Sequence, residues 1–216
     1  MNKLNCCVTG DTEVMTVDGV KSFSELAESD DDVNVYCLDV EGNIKVSKMF
    51  HPRISGIKVE VMKVVLSDGT ELNVTPNHMF LTKDGYVPAE DLMTGDQLIV
   101  LCDNPVLPVE IDENDKAFTE YTGTKKGTVI KKCEVSGEEF ECIWEEREVC
   151  SKDGYEPDLH NIKTKISTVS ENYEYKTVDR IEFSNNRENV YNGTVAVYHN
   201  YFTIDRKTNT VVNQFN

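Results

Sequence analysis

Positive charge is scarce in this chain. Its 216 residues carry 22 Lys and Arg against 39 Asp and Glu, a net charge of −17. Surfaces that grip nucleic-acid phosphates concentrate Lys and Arg, so no nucleic-acid partner is expected and the acidity reads as a source of solubility. Long apolar runs are missing too. No stretch approaches the roughly 18 apolar residues of a spanning helix, and residues 1–6 do not form a signal peptide, so no membrane partner is expected. Cysteines in close pairs are lacking in the middle of the chain. Cys133, Cys142 and Cys150, with His160 nearby, do not have the Cys-x₂₋₄-Cys spacing of structural zinc sites. They read as reduced thiols, and no metal or other cofactor is expected.

What remains is ample for a core. Apolar residues make up 39% of the chain, and the length suits one domain, or one domain carrying an insertion. Seven cysteines without a secretion signal point to a reducing, cytoplasmic compartment, and an odd count leaves at least one thiol unpaired.

The pattern is mostly strand. Val33–Val40 is rich in β-branched residues, and Glu41-Gly42-Asn43 turns it into Ile44–Lys48. Val59–Leu66, the Ser67-Asp68-Gly69 turn and Thr70–Thr75 read as a second hairpin. Gln97–Cys102 reads as a buried strand and Val190–Phe202 as a strand-rich stretch, whereas only Ser24–Glu28 and Pro88–Leu92 look like helical turns. Many short strands between turn signals predict an all-β fold. The composition shifts over about residues 104–172, where prolines and blocks of like charge predict an insertion between two halves of the β domain. Those halves echo each other weakly. Val35–Val40 is similar to Val190–Val195, and Pro76–Thr82 to Tyr198–Thr203, which hints at a duplicated architecture.

Three constellations carry chemistry. Cys7 stands near the chain start, followed by Val8-Thr9-Gly10-Asp11-Thr12. Thr75-Pro76-Asn77-His78 puts a hydroxyl and an imidazole at i and i+3 of a turn. His199-Asn200 and then Val212-Asn213-Gln214 close the chain. Each is ordinary alone, because a lone Cys is more often a small buried hydrophobe than a nucleophile.

Their order along the chain resembles the inteins, and more broadly the Hint superfamily that also holds the Hedgehog autoprocessing domains. Cys7–Val14 is similar to the amino-terminal splicing motif, Gly69–Thr82 to the motif with the Thr-x-x-His signature, Glu90–Asp96 to the Leu-x-x-Gly-Asp that follows it, and Asn189–Phe202 to the penultimate motif. The resemblance implies a horseshoe of long bent strands, with β subdomains related by a pseudo-two-fold axis and an insertion too short for a homing endonuclease. It implies a single-turnover autocatalyst rather than a true enzyme, a monomer acting on its own flanking polypeptides. Residues 1–6 would be the amino-terminal flank, 7–213 the domain, and 214–216 the far flank or the end of the domain. Cys7 would convert the preceding peptide bond into a thioester. His78 would protonate or distort that bond, with Thr75 holding or polarising it, and His199 would assist the later steps. Cys6 competes by position, but the motif follows Cys7 directly.

The departures from the family pattern matter as much. Asn192 stands where inteins usually have an Asp, and Asn cannot accept a proton. The usual His-Asn end, followed by Cys, Ser or Thr, is replaced by Asn213-Gln214-Phe215. Either Asn213 is the terminal residue and cyclises, or Asn213 takes the place of the penultimate His and Gln214 cyclises through a six-membered ring. Both registers leave no thiol or hydroxyl at the acceptor position. Two other readings stand beside splicing. One is a bacterial intein-like or Hedgehog-like domain that only cleaves through a thioester. The other is a non-catalytic β module that binds a metal or partner.

Overall fold

The computed structural model of the chain describes residues 6–29, 31–39, 42–102, 107–108, 121–132, 139–149, 172–195 and 198–215. The chain divides into two units, one made of Met1–Asp112 with Asp158–Asn216 and the other of Glu113–Pro157. In the larger unit the elements run β1 (Val8–Thr9), β2 (Glu13–Thr16), β3 (Gly19–Ser22), α1 (Phe23–Ser29), β4 (Val33–Leu38) and β5 (Ile44–Leu66). They continue as β6 (Glu71–Val74), β7 (Met79–Thr82), β8 (Gly85–Pro88), a 3₁₀ turn (Ala89–Asp91) and β9 (Gln97–Leu101). The smaller unit contributes one antiparallel hairpin, β10 (Tyr121–Lys132) with β11 (Glu139–Val149). Cys142 lies on β11, while Cys133, Cys150 and His160 lie outside the described residues. The larger unit then resumes with β12 (Tyr173–Val195), β13 (Asn200–Asp205) and β14 (Thr210–Phe215).

All strands of the larger unit belong to one 12-stranded sheet. Its spine is the antiparallel pair β5 and β12, each 23 residues long, with partners from Val178↔Leu66 to Val195↔Met49. The sequence pattern predicts two strands, Ile44–Lys48 and Val59–Leu66; the structure has one bent strand that continues through Pro52 and Gly56 between them. His51 and Lys58 adopt φ of 48° and 52°, which bends the chain at either side of this segment, while pairing with β12 persists through Arg53↔Asn192 and Ile54↔Tyr191. Gly56 permits a close approach. A Cβ there would stand 2.5 Å from Val59 Cγ2 and 3.0 Å from Val190 Cγ2. Cross-strand pairing thus overrides local breaker signals. For the same reason β12 begins at Tyr173, well before Val190, and breaks at Val195 before β13 takes up the chain.

Local chemistry accounts for the one α-helix among the described residues. Ser22 and Glu25 form a reciprocal capping box: Ser22 N donates to Glu25 Oε2 at 2.8 Å, and Glu25 N to Ser22 Oγ at 3.3 Å. Phe23 and Leu26, three apart on one face, are buried in the main apolar cluster with Val14, Met49, Met62 and Phe80. A second cluster holds Tyr36, Leu38, Leu81, Ile99, Leu101 and Phe202. Leu98 to Leu101 are all buried, so β9 is covered on both faces, which explains its uninterrupted apolar run.

The segment expected as an insertion leaves and re-enters at neighbouring points. β9 pairs with the start of β12 from Thr177↔Gln97 to Tyr173↔Leu101, and Cys102 N donates to Asn172 O at 2.8 Å. Because that stem is already closed by its own ladder, replacing residues 104–171 with a short Gly-rich turn is expected to leave a folded domain. A melting transition kept within a few degrees of the parent, with amino-terminal cleavage intact, supports this. Loss of the transition would show the segment to be structural.

Candidate active site

The site begins with two residues of strand. Val8 is paired on one side with Val74 of β6 and on the other with Tyr191 of β12, so β1 is wedged between them. That wedge carries Cys6 and Cys7 into the interior, where both are buried. The antiparallel register with β6 places Thr75, the residue after that strand, against Cys7. Thr75 N donates to Cys7 O at 3.0 Å, and Cys7 N donates to Thr75 Oγ1 at 3.2 Å. Cys7 N is the amide of the Cys6–Cys7 bond, so the Thr75 hydroxyl bonds the very peptide that the chemistry would break.

His78 returns to the same place by a turn. Its N donates to Thr75 O at 2.9 Å, with Pro76 at the second position, where its fixed φ suits a tight turn. Ala89 N donates to His78 O at 2.7 Å, and the ring meets Phe80 edge-on at 5.2 Å between centroids. The imidazole is fully buried. One nitrogen, Nε2, is 2.7 Å from Gln214 Oε1, while Nδ1 has no hydrogen-bond partner.

Gln214 arrives from the other end of the chain. In β14 it stands opposite Phe80 of β7 and Tyr201 of β13, and its Nε2 donates to Thr203 Oγ1 at 2.8 Å. Alternation along the strand turns its neighbour the other way. Asn213 Nδ2 donates to Asn200 Oδ1 at 2.8 Å and its Oδ1 accepts from the Tyr86 hydroxyl at 3.0 Å. Asn200 is tied in turn to both the N–H and the C=O of Leu38. The structure therefore gathers Cys7, Thr75, His78 and Gln214 into one cluster and directs the Asn213 side chain into a separate amide network.

The remaining expected residues lie further out. Asn192 Oδ1 accepts from the following Gly193 N at 2.8 Å, and its backbone is paired with Arg53. His199 precedes β13 with φ of 53°, its N bonded to Val195 O. Among the described residues its ring makes no hydrogen bond, and partial burial lowers its pKa.

Residues absent from the sequence reading complete the site. Arg53 and Ser55 are two apart on β5, in the stretch between the strands read at 44–48 and 59–66, and both act on the Cys7 thiol. Ser55 Oγ is buried without a partner in hydrogen-bond geometry, yet it is the neighbour that most lowers the Cys7 pKa. Arg53 is held by His51 O at 3.1 Å and lowers the Cys7 pKa as well. Tyr201 is fully buried near both thiols, with its hydroxyl unpartnered. Alternating polar residues within a strand are the signal that could have exposed Arg53 and Ser55, and the Pro52 and Gly56 on either side concealed it.

Burial dominates the electrostatics. It pushes the Cys7 thiol up to about 11 against the pull of Ser55 and Arg53, with Cys6 adding to the rise. It drives His78 down to about 4, against the Gln214 carbonyl and the Cys7 backbone carbonyl, which favour the protonated ring. Both groups are neutral at pH 7. Such a site is arranged to move protons between neutral partners rather than to store charge.

The family described as the intein splicing domain matches residues 14–213. Regions of other proteins are similar to part of the chain. A DNA gyrase polypeptide of Synechocystis sp. is 35% identical over 100 residues, 44% of this chain and 9% of that protein. Replication factor C small subunit of Haloquadratum walsbyi is 30% identical over 105 residues, 41% of this chain and 16% of that protein. The chain thus spans less than a fifth of the length of these relatives. Among solved structures, a variant of the Ssp DnaB mini-intein aligns with a TM-score of 0.60 at 12% identity, covering 100% of this chain and 99% of that one. The TvoVMA intein aligns with a TM-score of 0.56 at 14% identity, covering 98% of each chain. The chain belongs to the intein splicing-domain family, with the all-β Hint fold of autocatalytic protein splicing.

The depressed His78 pKa has a consequence for stability. An unfolded histidine at 6.5 takes up a proton that the folded ring refuses until about 4. This contribution is complete above pH 6.5 and is lost progressively down to pH 4, amounting to about 3 kcal/mol. Urea unfolding at pH 7 and pH 4.5 is expected to show a smaller acid loss in His78→Gln than in the parent. An equal loss in both would contradict the assignment.

Proposed function

We propose that Cys7 is the nucleophile of the amino-terminal step. The observation that carries this reading is the bond from Cys7 N to Thr75 Oγ1 inside a buried cluster that also holds His78. Cys7 Sγ attacks the carbonyl carbon of Cys6. The bond from that carbon to Cys7 N breaks, a thioester forms, and the thiol proton finishes on the freed amine. No net proton is gained or lost, so a neutral imidazole can serve both halves. His78 takes the proton from sulfur and returns it to nitrogen, and Thr75 orients the scissile amide. Arg53 and Ser55 act on the thiol and stabilise the thiolate while it exists.

At the other end, Gln214 is the residue that cyclises. Its amide nitrogen attacks its own backbone carbonyl, forming a six-membered imide and releasing the amine of Phe215. The position of its side chain within the Cys7 cluster, with Asn213 turned away, favours this register over the alternative. Asn213 takes the place of the penultimate histidine, held by Tyr86 and Asn200. His199, next to Asn200, assists this later step. Asn192 cannot carry the proton an aspartate would, which weakens the coupling between the ends. Phe215 offers neither thiol nor hydroxyl to receive the acyl group, so the chain as written cleaves its flanks without joining them. Its substrates are its own flanking polypeptides.

With a reporter protein fused upstream, added thiol is expected to release the reporter from the parent and from Cys6→Ala, but not from Cys7→Ala. The reverse pattern would overturn the assignment. Phe215→Cys is expected to restore ligated product by mass spectrometry, whereas Gln214→Cys restores it only if Asn213 is terminal.

A further inference from the structure

The amide of Gln214 is oriented by its surroundings. Thr203 Oγ1 lies 3.4 Å from Val212 O and donates to it, which leaves its lone pairs to accept from Gln214 Nε2 at 2.8 Å. With the nitrogen so placed, Gln214 presents its oxygen to His78, and an amide oxygen only accepts. His78 Nε2 must therefore carry the hydrogen. In a neutral ring that leaves Nδ1 as a bare lone pair, and Nδ1 is the buried nitrogen without a partner. His78, Gln214 and Thr203 are all buried, so both bonds form away from bulk solvent.

We propose that Gln214 is a positioning residue for the opposite end of the domain. Its side-chain carbonyl fixes the His78 tautomer that can accept the Cys7 proton, while the clamp of His78 and Thr203 holds its own nitrogen away from cyclisation until the first step is done. This inference rests on the roles given above to Cys7 and His78. It makes the order of the two cleavages a property of one hydrogen-bonded chain, Thr203–Gln214–His78. Before reaction, the residue that ends the domain is a part of the machinery that opens its beginning. The titratable groups around the cluster are the Cys6 and Cys7 thiols on the entering segment, the Tyr201 phenol on β13 and the Arg53 guanidinium on β5. Among the described residues no carboxylate reaches His78. The Cys7 backbone carbonyl also favours a proton on the ring but makes no bond to Nδ1 in hydrogen-bond geometry, so the Gln214 carbonyl at 2.7 Å is the acceptor that sets the tautomer.

The test uses the full chain with an upstream reporter and thiol-induced release. Gln214→Leu keeps the volume but removes the acceptor, and release is expected to slow about tenfold or more, the scale on which misplacing an acid–base group is felt. Gln214→Glu restores an acceptor for the same N–H. It is expected to recover most of the rate at pH 8 and to move the acid-side inflection of the pH–rate profile upward, because a carboxylate favours the charged ring. Thr203→Val frees the Gln214 nitrogen, and release of the carboxyl-terminal flank is expected to precede release of the reporter. Unchanged release in Gln214→Leu, or a Gln214→Glu profile that superimposes on the parent, would overturn the proposal and leave the Cys7 reading standing. If Gln214→Leu lacks the parent's melting transition, the Gln214→Glu profile decides. Absence of thiol-dependent release from the parent would overturn both.

Discussion

Everything at the site depends on where two residues of strand are lodged. Val8 and Thr9 fill the gap between β6 and β12, and that pairing sets the Cys6–Cys7 bond against Thr75. A longer or looser entry would leave the peptide exposed and the thiol free to sample solvent. The spine of β5 and β12 supplies the rigidity that so short a strand lacks, since its ladder runs the length of the sheet. The same spine carries Arg53 and Ser55, which act on the Cys7 thiol. The far end of the chain is fixed by β14, which pairs with β13, β9 and β7, so Gln214 is held by ladders separate from the β1 pairings that place Cys7.

A second constraint is that the two groups exchanging the proton carry no standing charge. The chain is strongly acidic overall, yet the Cys7 thiol and the His78 ring are held neutral by burial, near 11 and 4. Thioester formation from a peptide bond is an isomerisation with no net proton change, so a neutral thiol beside a neutral ring matches its needs. The cost falls on the thiol, which must be deprotonated well below its pKa. On the reading proposed for Cys7 and His78, that is where Arg53 and Ser55 matter, and why a proton acceptor with a free lone pair has to sit within the same dry volume.

Much of this was legible in the residues themselves. The Thr75-Pro76-Asn77-His78 turn is local, with proline where a turn accepts it, so its geometry follows from four consecutive residues. The capping of α1 by Ser22 and Glu25 is local in the same sense, although Ser24–Glu28 alone carried the helical signal. What was not legible is what long-range pairing decides. Pro52 and Gly56 normally end strands, and only the β12 ladder keeps β5 continuous through them. Asn213 and Gln214 necessarily face opposite ways in a strand, but which of them joins Cys7 depends on Gln214 standing opposite Phe80, 134 positions away in the chain. Arg53 and Ser55 were missed for the first reason, and Thr203 for the second.

The most direct test of the account is the protonation state of one ring. Nitrogen-15 NMR of the full chain labelled at histidine reports separately on the two nitrogens of His78. At pH 7 the account predicts a neutral imidazole, protonated at Nε2 and bare at Nδ1. An imidazolium, or a neutral ring protonated at Nδ1, would contradict it.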